Sequence, residues 1–417
     1  MKLPVASQSE IAIIGGGAAG LMAALSAARA NHASIALFER NTRCGAKIIA
    51  SGGGRCNLTN RLVSPKNYYG GSKAFIRNVL AAFDQEDTIH FFESLGVHLI
   101  TEEDDRVFPK SGRSQEVLNA LLSSAHALGV KIHERHYVEN VRFHDNGFVI
   151  FTNHGKYTAK KLLLAAGGAA CPQYGTDGSG LAIARALGHT VTDIGPALVP
   201  IAVEKPKFAA LAGITIDAAL TLKEKSGKAL SFSTGSLLFT HEGISGPAAL
   251  NISRELTFHP GSVLFLNLLP HKDCAAIEYW FKQQTEARPR VQISSIFKNL
   301  LPDRLCEMLI SLAGIDPRIR LSALSRTQRK DLSVIVTQLP LRNAQPLEFE
   351  KAHCTAGGVL LSEVRYQTME SRIIKGLYLA GEILDVDGVT GGYNFQWAWS
   401  SGWIAGRSMT VDCREHL

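Results

Sequence analysis

The fold of this 417-residue chain follows from one stretch near its start, Ile11-Ala-Ile-Ile-Gly-Gly-Gly-Ala-Ala-Gly20. Its four apolar residues predict a fully buried strand, and the residues that follow the glycines, 21–30, predict a helix. A second predicted strand, Ile35-Ala-Leu-Phe38, ends in Glu39, 19 residues beyond Gly20. A GxGxxG sequence between a strand and a helix, with an acid at this distance, is typical of a dinucleotide-binding βαβ unit. The expected fold class is therefore α/β with a Rossmann-like domain.

Each glycine of this motif has its own physical reason. Gly15 permits the tight turn, Gly17 lets the backbone approach a pyrophosphate, and Gly20 lets the helix pack closely on the strand. The start of the helix offers free N–H groups and the positive end of the helix dipole to phosphates. Glu39 can accept hydrogen bonds from both hydroxyls of an adenosine ribose and would repel a 2′-phosphate, so NADP is not expected here. The motif alone does not distinguish FAD from NAD.

A second glycine-rich stretch, Ser51-Gly-Gly-Gly-Arg-Cys-Asn57, suits a loop that passes close over a flat polar ligand. Arg55, or Lys47 just before the loop, could neutralise a phosphate or a flavin carbonyl. The alternative is a solvent loop in which the glycines serve only as turn residues. Cys44 and Cys56 could form a redox pair, but their 12-residue separation is better explained by small cysteines that fill space in the core.

These two stretches resemble the BaiN/YhiN-like family of bacterial FAD-dependent oxidoreductases, also described as aminoacetone-oxidase-like flavoproteins. Two further regions are similar to signatures of that family: Phe239–Pro247 (FTHEGISGP), and Gly376–Asp385 (GLYLAGEILD) together with Thr390–Asn394 (TGGYN). The resemblance implies noncovalent FAD and redox chemistry. It also implies an FAD-binding domain of the glutathione-reductase and fumarate-reductase type, with further modules inserted. It does not name a substrate.

The resemblance further implies which residues hold the cofactor. Glu382 would bind the ribityl chain, Val138 would contact the adenine through its backbone, and Gly392 would let the start of the last helix approach the flavin ring, with Asn394 adding a side-chain contact. The full set of expected cofactor-binding residues is Gly15, Gly17, Ala18, Ala19, Gly20, Glu39, Arg40, Lys47, Gly53, Gly54, Arg55, Asn57, Val138, Ala166, Gly167, Gly381, Glu382, Gly392, Tyr393 and Asn394.

Two histidines are candidates for proton transfer. His241 is followed by Glu242 within the FTHEGISGP stretch, and His353 is followed by Cys354 near the return of the chain to the first domain. A lone histidine can also serve only to shape its loop. No metal site is expected, because the seven cysteines show neither a CxxC pair nor a Cys/His spacing suited to zinc.

Composition and proline breaks suggest a domain plan. Residues 1–195 and 346–417 are expected to form a split FAD-binding domain. Short alternating apolar stretches in 196–271 predict a β-rich module, and 272–345 predict a more charged, helical module broken by prolines.

The chain carries a net charge of +7, and residues 285–331 hold nine basic residues against five acids. The basic residues are Arg288, Arg290, Lys298, Arg304, Arg318, Arg320, Arg326, Arg329 and Lys330. No aromatic residues alternate with them, as base stacking would favour. We therefore expect a solvated helical face rather than a nucleic-acid surface, and no stable nucleic-acid partner.

The chain is expected to be cytoplasmic. An odd number of scattered cysteines suggests reduced thiols, and a first strand by about Glu10 leaves no room for a signal peptide. The apolar residues 11–30 are better explained by a strand and a packed helix than by a membrane span, because glycines interrupt them early.

The expected function is oxidoreduction of an unidentified small organic substrate, with hydride passing through flavin N5 and NAD(P)H as a candidate transient donor. Two alternatives belong to other classes. One is an RNA-modifying flavoprotein that uses the basic run, and the other is an FAD-binding redox sensor or scaffold without turnover.

Overall fold

The computed structural model describes residues 5–30, 33–145, 147–204, 208–297 and 300–410, so Lys298 of the basic run lies outside the described residues. The chain divides into two compact units. The first comprises Met1–Gly195 and His353–Leu417, and the second comprises Pro196–Ala352.

The N-terminal part of the first unit alternates strands and helices. Its strands are β1 (Val5–Ile14), β2 (Ile35–Phe38), β3 (Thr59–Asn60), β4 (Tyr68–Gly70), β5 (Leu99–Thr101), β6 (Arg106–Pro109), β7 (Lys131–His133), β8 (Val138–His144), β9 (Gly147–Thr152) and β10 (Gly155–Leu164). Its helices are α1 (Ala18–Ala30), α2 (Ala46–Ala50), α3 (Lys73–Ala82), α4 (Gln85–Ser94), α5 (Ser114–Ala127) and α6 (Ser179–Ala186).

The following segment contributes strands β11 (Gly195–Ala197), β12 (Ile201–Ala202), β13 (Thr215–Lys223), β14 (Ala229–Phe239), β15 (Gly243–Ser245), β16 (Val263–Asn267), β17 (Leu339–Leu341) and β18 (Gln345–Pro346). Its helices are α7 (Pro247–Phe258), α8 (Cys274–Ala287), α9 (Asp303–Leu312) and α10 (Arg326–Thr337). The C-terminal part of the first unit adds β19 (Cys354–Ala356), β20 (Leu377–Leu379), β21 (Val386–Gly388) and α11 (Tyr393–Thr410).

The main sheet of the first unit is parallel at its centre. Strands β7, β2, β1 and β10 lie side by side in that order, and β20 continues the parallel set beside the second half of β10. Strands β9 and β8 add an antiparallel extension beside the first half of β10. Residues 11–14 and 162–164 are buried without interruption, as expected for parallel strands covered on both faces.

One edge of this sheet collects the loops that matter for function. Because β1, β2, β7, β10 and β20 are parallel, the residues that follow them meet at their carboxyl ends. Main-chain hydrogen bonds extend the strand order into these loops. Gly15 N–H donates to Phe38 O (2.8 Å), and Ala165 N–H donates to Ile14 O (2.9 Å). The glycine turn, Glu39 and the return segment therefore lie along one edge.

The second unit is built on an antiparallel sheet in the order β17-β16-β13-β14-β15-β12-β18. The structure differs here from the expected division at 271/272. Helices α8, α9 and α10 bury Phe281, Leu309 and Leu332 in the same core as Leu220 and Leu266 of the sheet. A shared core holds 196–352 together as one unit rather than two modules.

The second boundary also differs from the expected residue 346. Strand β18 pairs with β12, with Pro346 opposite Ile201, so the chain leaves the second unit only after Ala352. Among the described helices, none is both long enough and apolar enough to cross a membrane.

The second unit is expected to fold alone, because its two ends meet. Besides the pairing of β12 with β18, Leu347 N–H donates to Pro200 O at 2.9 Å. We expect residues 196–352, expressed alone, to unfold cooperatively in urea when followed by circular dichroism. The matched control, 196–338, lacks buried Leu339 and Leu341 and should be less stable by about 3–6 kcal/mol. A fragment 196–352 with no cooperative transition would show that the unit depends on the rest of the chain.

Candidate functional site

The glycines of the turn after β1 differ in what surrounds them. At Gly15, whose φ is +106°, a Cβ would lie 2.4 Å from Ala165 O, and at Gly20 a Cβ would lie 1.9 Å from Gly15 O. At Gly17 no atom lies within 4 Å of the Cβ position. Two glycines are thus required by packing of the protein itself, whereas Gly17 faces open space. Ala18 and Ala19 form the first turn of α1, whose leading N–H groups have no partner within the helix.

Glu39 is fixed beside this turn. Its side chain is buried, and its Oε2 accepts from Gly16 N–H at 3.0 Å while its Oε1 accepts from Asn41 N–H at 2.8 Å. Burial raises the pKa of Glu39, although these two hydrogen bonds act in the opposite direction. The end of β2 therefore presents a carboxylate acceptor, held by the backbone, next to the start of α1.

An ion pair joins α2 to the loop that follows β20. Lys47 Nζ lies 2.9 Å from Glu382 Oε2, and Glu382 Oε1 accepts from both Thr355 N–H (3.0 Å) and Thr355 Oγ1 (2.9 Å). Thr355 Oγ1 in turn accepts from the N–H groups of Ala169 (2.8 Å) and Ala170 (3.0 Å). Thr355 connects the loop after β10 to Glu382. Sequence reasoning missed this role, and only the neighbouring Gly357 and Gly358 hinted at it.

The second glycine loop is open at its centre. No atom lies within 4 Å of the Cβ positions of Gly53 and Gly54, and Asn57 Oδ1 is buried without a partner among the described residues. The Arg55 guanidinium pairs with Glu102 and lies 4.2 Å over the ring of Phe108. These two partners orient the Arg55 side chain, and its contact with a phosphate or a flavin carbonyl stays a prediction.

Arg40, the residue after Glu39, also has an ion-pair partner. It contacts Asp177 at 2.5 Å and stacks over Tyr137 with 4.7 Å to the ring centre. Burial opposes ionisation of Asp177, but hydrogen bonds from Arg40 and Ser179 lower the pKa of Asp177 to about 2. Val138, which follows Tyr137 and is the first residue of β8, is buried.

The loops after β10 and β20 are tightly packed. At Gly167 a Cβ would lie 2.8 Å from Thr176 Cγ2, and at Gly381 it would lie 2.8 Å from Ala19 Cβ. Ala166 is in contact with the start of α6, since a Cβ at Gly180 would lie 2.7 Å from Ala166 Cβ.

The last helix begins at Tyr393, directly after Gly392. A Cβ at Gly392 (φ +100°) would lie 2.6 Å from the carbonyl of Thr59, so the main chain of β3 alone requires glycine there. The approach of this helix start to the flavin ring stays a prediction. Asn394 is also used internally, because its amide both donates to Gly388 O (2.9 Å) and accepts from Gly388 N–H (2.8 Å).

The two candidate histidines lie in different units. His353 is near Lys47 in the first unit. His353 has a high exposed fraction overall. Protein atoms around its ring nevertheless remove water from it and lower the pKa of His353, and the nearby Lys47 ammonium lowers this pKa further. His241 is exposed in the turn between β14 and β15 of the second unit. Within the first unit, the structure thus places His353 near Lys47 of the Lys47–Glu382 pair.

The suggested redox pair is not formed. Cys44 and Cys56 are both free and buried. Burial raises the pKa of both thiols, that of Cys56 to about 12. Neither is a thiolate near neutral pH, which favours the interpretation that they fill space in the core.

Residues 9–408 match the family described as HI0933-like protein Rossmann domain. The chain is 36% identical over 405 residues to the 3-dehydro-bile acid delta(4,6)-reductase of Clostridium scindens, covering 96% of this chain and 98% of that protein. It is 33% identical over 400 residues to the ribosomal RNA dihydrouridine synthase of Escherichia coli, covering 95% and 97%.

Among solved structures, the fold is similar to that of the 3-ketosteroid delta1-dehydrogenase from Sterolibacterium denitrificans. The TM-score is 0.50 at 13% identity, covering 97% of this chain and 99% of that one. The predicted Rossmann-like FAD-binding fold, the predicted family and the predicted class of FAD-dependent oxidoreductase are confirmed. The chain therefore belongs to the family described as HI0933-like protein Rossmann domain, which it matches over residues 9–408.

Proposed function

We propose that this oxidoreductase reduces a carbon–carbon double bond conjugated to a carbonyl group, using noncovalently bound FAD. The observation that carries the proposal is that two relatives, each aligned over at least 95% of this chain, have names that share this step although their substrates differ. The delta-4 and delta-6 bonds of a 3-dehydro bile acid are conjugated to its 3-oxo group. Dihydrouridine forms when the ring double bond of uracil, also conjugated to a carbonyl, is saturated.

The described residues fit FAD along the carboxyl edge of the sheet. Open space at Gly17, Gly53 and Gly54 leaves room for a ligand where side chains would block it. The buried Oδ1 of Asn57 lacks a donor that a bound group would supply. We assign the N–H groups at the start of α1 to the pyrophosphate and Glu39 to the adenosine ribose. Hydride transfer is the chemistry that FAD supplies when bound.

Glu382 is assigned to the ribityl hydroxyls. A carboxylate offers about four acceptor directions, and Thr355 and Lys47 occupy three of them. One direction remains for a hydroxyl, while the Lys47 ammonium balances the negative charge. Tyr393, Ala166, Gly167 and Gly381 would line the site through their main chain.

A conjugated reduction also needs a group that polarises the carbonyl and a proton for the α-carbon. The lowered pKa of His353 keeps its ring neutral near pH 7, so the ring carries one N–H that can donate to a carbonyl oxygen. We propose His353 for this role and keep His241 as the second candidate. NAD(P)H is the proposed electron donor.

The reaction is tested with deuterated NAD(P)H and two acceptors, a steroid with a conjugated 3-oxo group and a uridine-containing RNA. Deuterium is expected at the β-carbon of one of them and a solvent proton at the α-carbon, measured by mass spectrometry and NMR. His353→Gln should lower kcat by about a hundredfold. The exposed His126→Gln is the matched control, and His241→Gln tests the second candidate. If NAD(P)H reduces the flavin but the double bond of neither acceptor is reduced, the result would favour a redox sensor instead.

Two glycine variants separate cofactor binding from folding. Gly17→Ala places a methyl group in open space, so stability should be kept while FAD affinity falls by about tenfold or more, a loss of about 1.4 kcal/mol. Gly20→Ala places a methyl group against the main chain and should cost about 1–3 kcal/mol of folding free energy. Urea unfolding and FAD titration of the apoprotein measure the two effects. Full FAD affinity in Gly17→Ala would exclude the turn as the pyrophosphate site.

Glu39 should make FAD binding depend on pH. Because the pKa of Glu39 is raised, its carboxyl group takes up a proton at a pH above its ordinary value of 4.5. FAD affinity should therefore fall as the pH is lowered through that raised pKa, since a protonated carboxyl accepts fewer hydrogen bonds. Glu39→Gln should bind FAD about tenfold more weakly at pH 7 and show a flatter pH profile. The exposed Glu139→Gln is the control, and equal profiles for both variants would place the ribose elsewhere.

A further inference from the structure

Two segments of the second unit are paired by one antiparallel bridge. Residues 288–294 follow α8, and residues 317–322 precede α10. Gln292 and Arg320 form the bridge between them, flanked by hydrogen bonds from Ile293 N–H to Ile319 O (3.0 Å) and from Leu321 N–H to Val291 O (2.9 Å). We call these residues the arginine ribbon.

The ribbon has one buried face and one exposed face. Ile293 and Leu321 are fully buried in the core of the second unit, whereas Arg290, Arg318 and Arg320 are exposed. Arg320 lies in the bridge, whereas Arg290 and Arg318 lie in the turns 288–291 and 316–319 beside it. The bridge therefore brings three exposed arginines together, although α9 separates them in sequence. The expected helical face holds only part of the basic run, because these three arginines lie between helices while Arg304, Arg326, Arg329 and Lys330 lie in α9 and α10.

The bridge determines which arginines are neighbours. Arg320 is opposite Gln292, and Arg290 precedes Gln292 by two residues. Arg318 precedes Arg320 by two residues and lies in a turn closed by the hydrogen bond from Ile319 N–H to Asp316 O (3.0 Å). Three guanidinium groups gathered around one bridge can contact neighbouring phosphates of a nucleic-acid strand.

Few of these charges are neutralised by the protein. Arg318 pairs with Asp316 at 3.3 Å, but both side chains are largely exposed, at 82% and 56%, so this ion pair is weak. Within the described part of the chain, Arg290 and Arg320 have no ion pair with a carboxylate. Residues 196–352 hold nineteen basic against fourteen acidic residues, and thus five of the seven net positive charges. Guanidinium groups bind phosphate oxygens in a bidentate manner, which lysine cannot do.

We propose that the outer face of the arginine ribbon binds the phosphate backbone of RNA. The proposal rests on the proposed function in its RNA form, where the reduced ring is a uracil within a polynucleotide. None of residues 288–294 and 317–322 is aromatic, so the ribbon holds the strand by charge and does not stack on bases. Binding is therefore expected to depend strongly on salt and little on base sequence.

Binding is measured by fluorescence anisotropy on the FAD-loaded full chain without an electron donor, so that turnover plays no part. The probe is a fluorescein-labelled, unstructured oligouridine of about 16 nucleotides, titrated at KCl concentrations from about 50 to 200 mM. The test variant is Arg290→Gln with Arg320→Gln. The matched control is Lys225→Gln with Lys228→Gln, which removes the same charge from the exposed turn between β13 and β14.

The ribbon variant should bind at least about tenfold more weakly, and its slope of log affinity against log salt should be shallower by about 1.4, or 0.7 for each lost phosphate contact. The control should keep the wild-type slope, and oligoadenosine should bind like oligouridine. Unchanged urea unfolding of the ribbon variant would show that the effect is not structural.

Several outcomes would overturn the proposal. They are no binding by the wild type at about 50 mM KCl, equal losses in the two double variants, tenfold tighter binding of DNA of the same length, or ribbon-dependent binding to phosphatidylserine vesicles instead. Ribbon-dependent RNA binding in a protein that saturates neither acceptor would retain the surface and reject the proposed reduction. Turnover on RNA that does not depend on the arginine ribbon would retain the proposed reduction and reject the surface.

Discussion

The first unit depends on main-chain surfaces that approach each other with no side chain between them. Gly20 of α1 lies against the carbonyl of Gly15, so the helix starts directly at the end of β1. On its other face α1 meets α11, where a Cβ at Gly402 would lie 2.4 Å from Ala19 O and one at Gly406 would lie 2.2 Å from Ala23 O. Strand, first helix and last helix form a stack whose spacing is set by glycine. The open space at Gly17 has a fixed position because the glycines around it are immobilised by packing.

The sequence predicted those features that depend on local pattern. A buried strand, a glycine turn and an acid at a set distance are read along one stretch, and the structure has each of them at the predicted residues. Glycine positions alone could not reveal what a glycine faces. Gly17 and Gly392 look alike in sequence, yet one borders open space and the other the main chain of Thr59. Composition also could not show that residues 196–352 form one unit, because the core shared by its helices and sheet depends on contacts between distant residues.

Ionic partners were the least predictable part of the site. Arg55, Arg40 and Lys47 were each expected to face the cofactor, but each has a carboxylate partner: Glu102, Asp177 and Glu382. These pairs join residues that are distant in sequence, so no spacing rule identifies them. Their energetic value differs with exposure. The Lys47–Glu382 pair is held by Thr355 and is only about one-quarter exposed, whereas the Arg55 side chain is 42% exposed and contributes less to stability.

The discontinuity of the first unit has a consequence for the order of folding during synthesis. Strand β20, which pairs with β10, and helix α11, which covers α1, both lie beyond His353. The ribosome therefore releases the whole second unit before either element exists. Until then the second half of β10 has an unpaired edge and α1 an uncovered apolar face, whereas the second unit has every strand of its sheet. The nascent chain is thus most exposed to aggregation in its N-terminal segment and for most of its synthesis time, the period in which a chaperone would act on it.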